Sequence, residues 1–354
     1  MITIAYGRDI IKSTYDALSA SDIRLYLKQD MSVSIKPNLV VPCPAHGGAT
    51  THPEVVEGII CYLADFGVKD VKIIESSWIG DSTIQAFKTC GYEALSRKYS
   101  VPLVDLKSDG TAELAHGETK IEICTEALNT DFLINAPVLK AHSQTRLTCC
   151  MKNLKGCIPD REKRRFHALG LHKPIAILNI LLKTGYCVVD GICGDLSSEE
   201  GGNPVESNRI ITGRNPLTVD TYCAELIGCV PDEIGYLSHG KRLGLGEYYS
   251  KETGLIELGA HEKPVRIPIG GRLADRYAAF IDEESACSAC YSSLVFALHK
   301  LGKSDFSEII HIGQGFKNRY GDGIGVGNCA HGFTNCAVGC PPKATDIIDM
   351  LRAL

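Results

Sequence analysis

Short runs of β-branched and aliphatic residues alternate along this chain with longer stretches whose apolar positions recur at helical spacing. Residues 3–6, 31–35 and 71–75 read as strands. Residues 11–28 and 53–67 read as helices, the second opened by Pro53 and closed by Gly67. The order strand, loop, helix, strand predicts parallel strands joined by a right-handed crossover. Strands at 101–104, 132–135, 186–190 and 209–212, with helices at 175–183 and from Pro216, continue the alternation. The expected fold is α/β, a mostly parallel sheet with helices on both faces. A linker-like stretch at 265–285 precedes a second pattern: a helix over 291–298, a strand over 309–312, a glycine-rich loop and a last helix after Pro342. This predicts an α/β domain over 1–265 and a small cysteine-rich module over 266–354.

In parallel sheets ligands gather at the carboxyl ends of strands. Lys36, Asn38, Thr51 and Glu75 fall at such ends. Lys36 and Glu75 also read as a surface ion pair, and Thr51 as the cap of the helix that Pro53 opens. After the strand at 132–135 come Lys140, His142, Lys152, Asn153 and Lys155, cationic and amide groups suited to an anionic or carbonyl-bearing ligand. Asp190 ends the next buried strand, and Asp195 follows it; turn chemistry is the plainer reading of both. Lys36, His142, Lys152, Lys155 and Asp190 are the candidate catalytic residues. Asn38, Thr51, Glu75, Lys140 and Asn153 are the candidate substrate-binding residues.

The final seventy or so residues carry Cys287 and Cys290, two positions apart, then Cys329 and Cys340, the last followed by proline. Four thiolates hold zinc or a cubane iron–sulfur cluster. Single third and fourth cysteines, one of them before proline, favour a [4Fe–4S] cluster over two compact zinc knuckles. Cys336 is a fifth candidate ligand. Sixteen cysteines in a chain with no secretory leader pattern argue against a disulfide framework and for the cytoplasm, and with a cluster they suggest an anaerobe. Adjacent Cys149 and Cys150 read as packing residues, with Cys157 and Cys193 the other candidates for a second centre. A net charge of −5 leaves no footprint for nucleic acid, and no apolar run is long enough to span a membrane. Neither a dinucleotide fingerprint nor a phosphate loop is present.

Lys36-Pro-Asn38, Thr51-His-Pro53, Glu75-Ser76, Leu139 to His142, Met151 to Gly156, Val189 to Gly191 and Val338 to Pro342 together resemble the DUF362 family. The resemblance covers about residues 33–230 and the cysteine module. It implies an α/β domain and, in many members, a [4Fe–4S] cluster, with no general reaction. Many relatives have a ferredoxin-like Cys-x-x-Cys-x-x-Cys insert where this chain has dispersed cysteines, so cluster type and electron route do not carry over. The strand, His-Pro helix, strand pattern also looks distantly like the nickel-dependent lactate racemase fold, from which no reaction is transferred. The expected function is a cytoplasmic redox enzyme passing electrons from the cluster to a small anionic substrate, with a redox partner protein and room for a homodimer. An open iron would make it a lyase. A ferredoxin-like carrier or maturation factor, and a zinc-stapled protein, stand as alternatives.

Overall fold

The computed structural model describes residues 1–197, 199, 201–263, 273–302 and 308–354. In chain order its strands are β1 (Ile2–Tyr6), β2 (Ser32–Pro37), β3 (Asp70–Glu75), β4 (Leu103–Asp105), β5 (Thr111–His116), β6 (Thr119–Cys124), β7 (Phe132–Ala136), β8 (Lys140–His142), β9 (Arg146–Thr148), β10 (Tyr186–Asp195), β11 (Pro204–Gly213), β12 (Leu255–Leu258), β13 (Ile281–Glu283), β14 (Ile310–Ile312), β15 (Gly321–Val326) and β16 (Phe333–Ala337). Eight of them form one sheet in the order β12-β1-β11-β10-β7-β2-β3-β4. Strands β10, β7, β2, β3 and β4 are parallel to their neighbours in that run, and β11 alone runs against its neighbours β1 and β10. The sheet is therefore mostly parallel, and β2, β3 and β7 deliver their carboxyl ends to one edge.

Strand alternation splits the apolar residues between two cores, one on each face. Ile73, Ile134, Val188 and Ile210 point into a core shared with the helices Ile10–Ala20 and Pro53–Phe66. Their neighbours Ile74, Leu133, Val189 and Ile211 point into the opposite core, shared with the helices His172–Leu181, Pro216–Leu226 and Gly235–Arg242. Both faces are covered, which is why the central strands read as continuous apolar runs. Two hairpins, β5–β6 and β8–β9, stand outside the sheet.

A third core gathers Leu294, Leu298, Ile310, Ile312, Ile324, Val326 and Ile347 under a four-stranded parallel sheet, β13-β14-β15-β16, with the helices Ser288–Leu301 and Ala344–Arg352. The loop expected between Gly313 and Gly327 holds a strand, β15. Its glycines alternate with Ile324 and Val326, which face the core, and the flat glycine face lets the chain at Ala330 come close: a Cβ on Gly325 would overlap the Ala330 carbonyl. The linker expected from 265 begins at 264–272, outside the described residues; the part at 273–285 holds two 3₁₀ turns and β13.

Other boundaries moved for local reasons. The first helix stops at Ala20, because Ser21 turns extended and gives its amide to the Leu18 carbonyl before a 3₁₀ turn at Ile23–Leu25. The helix at Pro53 is capped by His52, not Thr51. Gly67 ends it in the left-handed region at φ 97°, where its amide reaches the Leu63 and Ala64 carbonyls. Among the described residues no helix is long and apolar enough to cross a membrane.

Candidate functional site

Register brings Lys36 beside Asn135 where β2 and β7 end, and Glu75 ends β3 next door. Lys36, Glu75, Asn38, Lys140, His142, Lys152, Asn153 and Lys155 all line one pocket of about 650 Å³, open solvent at its mouth included. Eight of the ten candidate catalytic and binding residues thus line one pocket, and Thr51 and Asp190 do not. The apolar wall is Val40, Trp78 and Ile79.

The lysines are not equivalent. The Lys36 ammonium, 1 % exposed, donates to Glu75 at 2.8 Å, to the Pro37 carbonyl at 2.7 Å and to Asn153 at 2.9 Å. All three of its protons are spent, which makes it a buried brace; the surface ion pair that the sequence also allowed is not what forms. Glu75 completes the brace by accepting the amides of Leu39 and Ser76. Lys140 donates to the carbonyls of Ala49 and Glu199, and Lys163 to Ser76, Ser77 and Asp160. Lys152 and Lys155 differ: the first reaches Thr148 Oγ1 at 3.3 Å, the second His167 Nε2 at 3.4 Å, and neither touches a carboxylate among the described residues. Burial, then mutual repulsion with Lys155, holds the Lys152 ammonium well below the ordinary lysine range. Burial, then Lys163, pushes Lys155 down to about 7.

His142 is fully buried and accepts the amides of Gln144 and Thr145 on Nδ1, at 3.1 and 3.2 Å. Its proton is therefore on Nε2, which faces Glu199 at 3.5 Å. Burial, then the nearby lysine charges, keeps the ring neutral. Glu199 also accepts the Ser143 amide and the hydroxyls of Ser143 and Ser292. Sequence reading missed Glu199, Lys163 and His167. Nothing around Glu199 marks it, since it sits in a polar turn, and Lys163 lies in a basic run that reads as a solvated face.

Thr51 and Asp190 serve the framework. Thr51 Oγ1 accepts the Asn38 amide and donates to the Ala136 carbonyl, tying β2 to β7. Asp190 takes the amide and Nδ1 of His52 at 2.7 and 2.8 Å, so it anchors the start of the helix Pro53–Phe66. Asp195 accepts from Ser197 and Asn203 in a turn.

Cys287, Cys290, Cys329 and Cys340 line a second cavity, of about 290 Å³. Cys287 precedes, and Cys290 begins to wind, the helix Ser288–Leu301; Cys329 is in the 3₁₀ turn after β15, and Cys340 follows β16. Burial, then the neighbouring thiols, pushes Cys290 up to about 12 and raises Cys287. Cys336 lies outside the cavity lining, with its thiol 3.8 Å from the Gly327 carbonyl. Cys287 and Ser288 are consecutive, and Ser288 lines the lysine pocket. One short piece of chain thus lines both cavities, Cys287 the one and Ser288 the other.

A separate thiol group lies in the sheet core. Cys149 and Cys150 place their sulfurs 3.9 Å apart, and with Asp220 they put three ligand atoms within 4.8 Å of one another, a possible metal-binding group. Asp220 accepts the amides of Cys150 and Met151. Cys157 and Cys193 are not part of that group.

The model of the family described as "Domain of unknown function (DUF362)" matches residues 33–225, a span that holds every residue lining the lysine pocket except Ser288 and leaves the tail cysteines outside. The Thylakoid-associated protein sll1697 of Synechocystis sp. is 25% identical over 234 residues, covering 62% of this chain and 70% of that protein. Among solved structures, the lactate racemase apoprotein from Thermoanaerobacterium thermosaccharolyticum aligns with a TM-score of 0.45 at 13% identity, over 65% of this chain and 57% of that one. A Thermotoga maritima protein aligns at 0.41 and 14%, over 62% and 60%. The chain thus spans less than two thirds of either solved chain. On the match across more than half its length, the chain belongs to the DUF362 family.

Proposed function

We propose that the protein is an iron–sulfur redox enzyme acting on a small anionic substrate held in the lysine pocket. The observation that carries this is one of adjacency: Cys287 lines the four-thiol cavity and the next residue, Ser288, lines the lysine pocket.

The donor set fits a cluster better than a single ion. A tetrahedral zinc with its thiolates at about 2.3 Å draws them to roughly 3.8 Å from one another. Among the described residues the one group of three ligand atoms within 4.8 Å is in the sheet core, so no three tail thiols stand that close. A four-iron core is wider and suits the more open arrangement. Cys287, Cys290, Cys329 and Cys340 would hold it, and when bound it supplies single electrons. Four protein ligands favour electron transfer over the open-iron lyase reading.

The chain's own groups do the rest. Lys152 and Lys155 attract the anion. His142 Nε2–H faces Glu199 and both line the pocket, so the neutral ring is held in one tautomer as a hydrogen-bond donor beside the substrate, and the protons of the reduction come from water. Lys36, Glu75 and Asn153 keep the floor rigid. Burial of His142 and Lys140 to 1 % exposure favours chemistry in this pocket over a carrier, whose lysines would face water. The electrons come from a redox partner protein, for which Cys340, the exposed ligand, marks the near side, and the compartment is the cytoplasm. Reductive titration of anaerobically isolated protein tests this: about one electron per chain should bleach the visible absorption. Protein that takes up no electrons would refute it.

A further inference from the structure

Three side-chain amides run in series under the lysine pocket. Asn135 Nδ2 donates to the Cys150 carbonyl at 2.8 Å, Asn153 Nδ2 to Asn135 Oδ1 at 2.8 Å, and Asn38 Nδ2 to Asn153 Oδ1 at 3.0 Å. The backbone carbonyl at one end can only accept, so it fixes the direction of every amide in the series. The free end is then Asn38 Oδ1. Asn38 lines the pocket with 8 % of the residue exposed, and its Oδ1 is buried without a partner. A buried carbonyl oxygen without a donor costs about 1–3 kcal/mol, so the site is built for a ligand that brings an O–H or N–H.

The cations give the charge of that ligand. Lys36 is matched by Glu75 and Lys163 by Asp160, and Lys140 is spent on backbone carbonyls. Lys152 and Lys155 remain, two lysines on one short turn of chain facing the same pocket without a touching carboxylate among the described residues; an arriving anion draws a proton onto them, and the lining carboxylate of Glu199 is held by the Ser143 and Ser292 hydroxyls. Val40, Trp78 and Ile79 also line the pocket, an apolar surface that suits a short carbon skeleton and offers no further charge.

We infer that the lysine pocket binds a compact dianion that carries a hydroxyl or amino group, of the hydroxy- or amino-dicarboxylate class, with its two carboxylates on Lys152 and Lys155 and its donor on Asn38 Oδ1. This deepens the reading of the pocket as the substrate site and rests on it, but it does not depend on the cluster. Trp78 is the chain's one tryptophan and lines the pocket, so its emission reports occupancy.

The test is titration of the anaerobically isolated protein with malate, succinate, lactate and inorganic phosphate, followed by Trp78 emission and by calorimetry, with visible absorption read on the same samples. Malate should bind at least tenfold more tightly than succinate, which lacks the donor, and than lactate, which lacks the second charge. Lys152→Met and Lys155→Met should each weaken malate at least tenfold, and Asn38→Leu should bring malate to the level of succinate. Circular dichroism establishes that each variant is folded, and Lys155→Arg, which keeps the charge, should retain binding. Lactate or succinate binding as tightly as malate overturns the inference, as does tighter binding of phosphate or no binding by any of the four. Loss of visible absorption with the malate preference intact would instead sink the redox reading alone.

Discussion

At the scale of single residues, identical side chains have been given opposite tasks by their surroundings. Lys36 is immobilised by three acceptors, one of them the Glu75 carboxylate, whereas Lys155 has one contact and a lowered proton affinity. Removing one partner of a buried ion pair leaves the other charge stranded, at about 3–5 kcal/mol. Lys36→Met should lower stability by that amount in denaturant unfolding, and adding Glu75→Leu should restore part of it. Lys155 predicts a pH dependence of a definite sign. With its pKa near 7 in the empty pocket, an arriving carboxylate favours the protonated form, so binding draws in a proton above that pH. Affinity for an anion should fall as pH rises through and above about 7, and Lys155→Met should make that fall shallower, the remainder belonging to Lys152. A profile rising with pH would contradict this assignment. Sequence alone put Lys36 at the carboxyl end of one strand and Lys155 in the stretch after another; it gave no sign of which would be spent, because that depends on Asn153 and Glu75 arriving from distant segments.

At the scale of elements, the parallel core was legible because its strands are apolar on both faces and its helices begin and end on Pro53, Gly67 and Pro216. Elements with weaker signals were not. The sequence pattern marks no strand over the hairpin β8–β9, yet β8 carries Lys140 and His142 to the pocket. Strand β15 reads as a loop because three of its six residues are glycine, and only its pairing with β14 and β16 makes it a strand. That pairing also separates the candidate ligands. Cys336 is within β16, in register with Gly325, while Cys329 and Cys340 lie in the turns beyond strand ends. Iron content should therefore survive Cys336→Ser and collapse in Cys290→Ser, measured on protein isolated under the same anaerobic conditions. Equal loss in both would remove the distinction.

At the scale of the whole molecule, the cysteine-bearing unit is clamped to the pocket side of the large sheet. Ser288 Oγ donates to Gln144 at 2.8 Å, Ser292 Oγ to Glu199 at 2.6 Å, and Gln314 to the Arg164 carbonyl at 3.3 Å. Two of these six residues, Ser288 and Glu199, line the lysine pocket, so the docked tail supplies part of its wall. None of this was visible in the order of residues, since the contacts join positions more than ninety apart, as Ser292 and Glu199 show. The central claim is that the tail thiols hold iron and sulfide against that pocket. Its most direct test is the iron and acid-labile sulfide content of the full chain isolated without oxygen: about four of each per chain, in brown protein, is the predicted result. Colourless protein holding about one zinc per chain and no sulfide would contradict it.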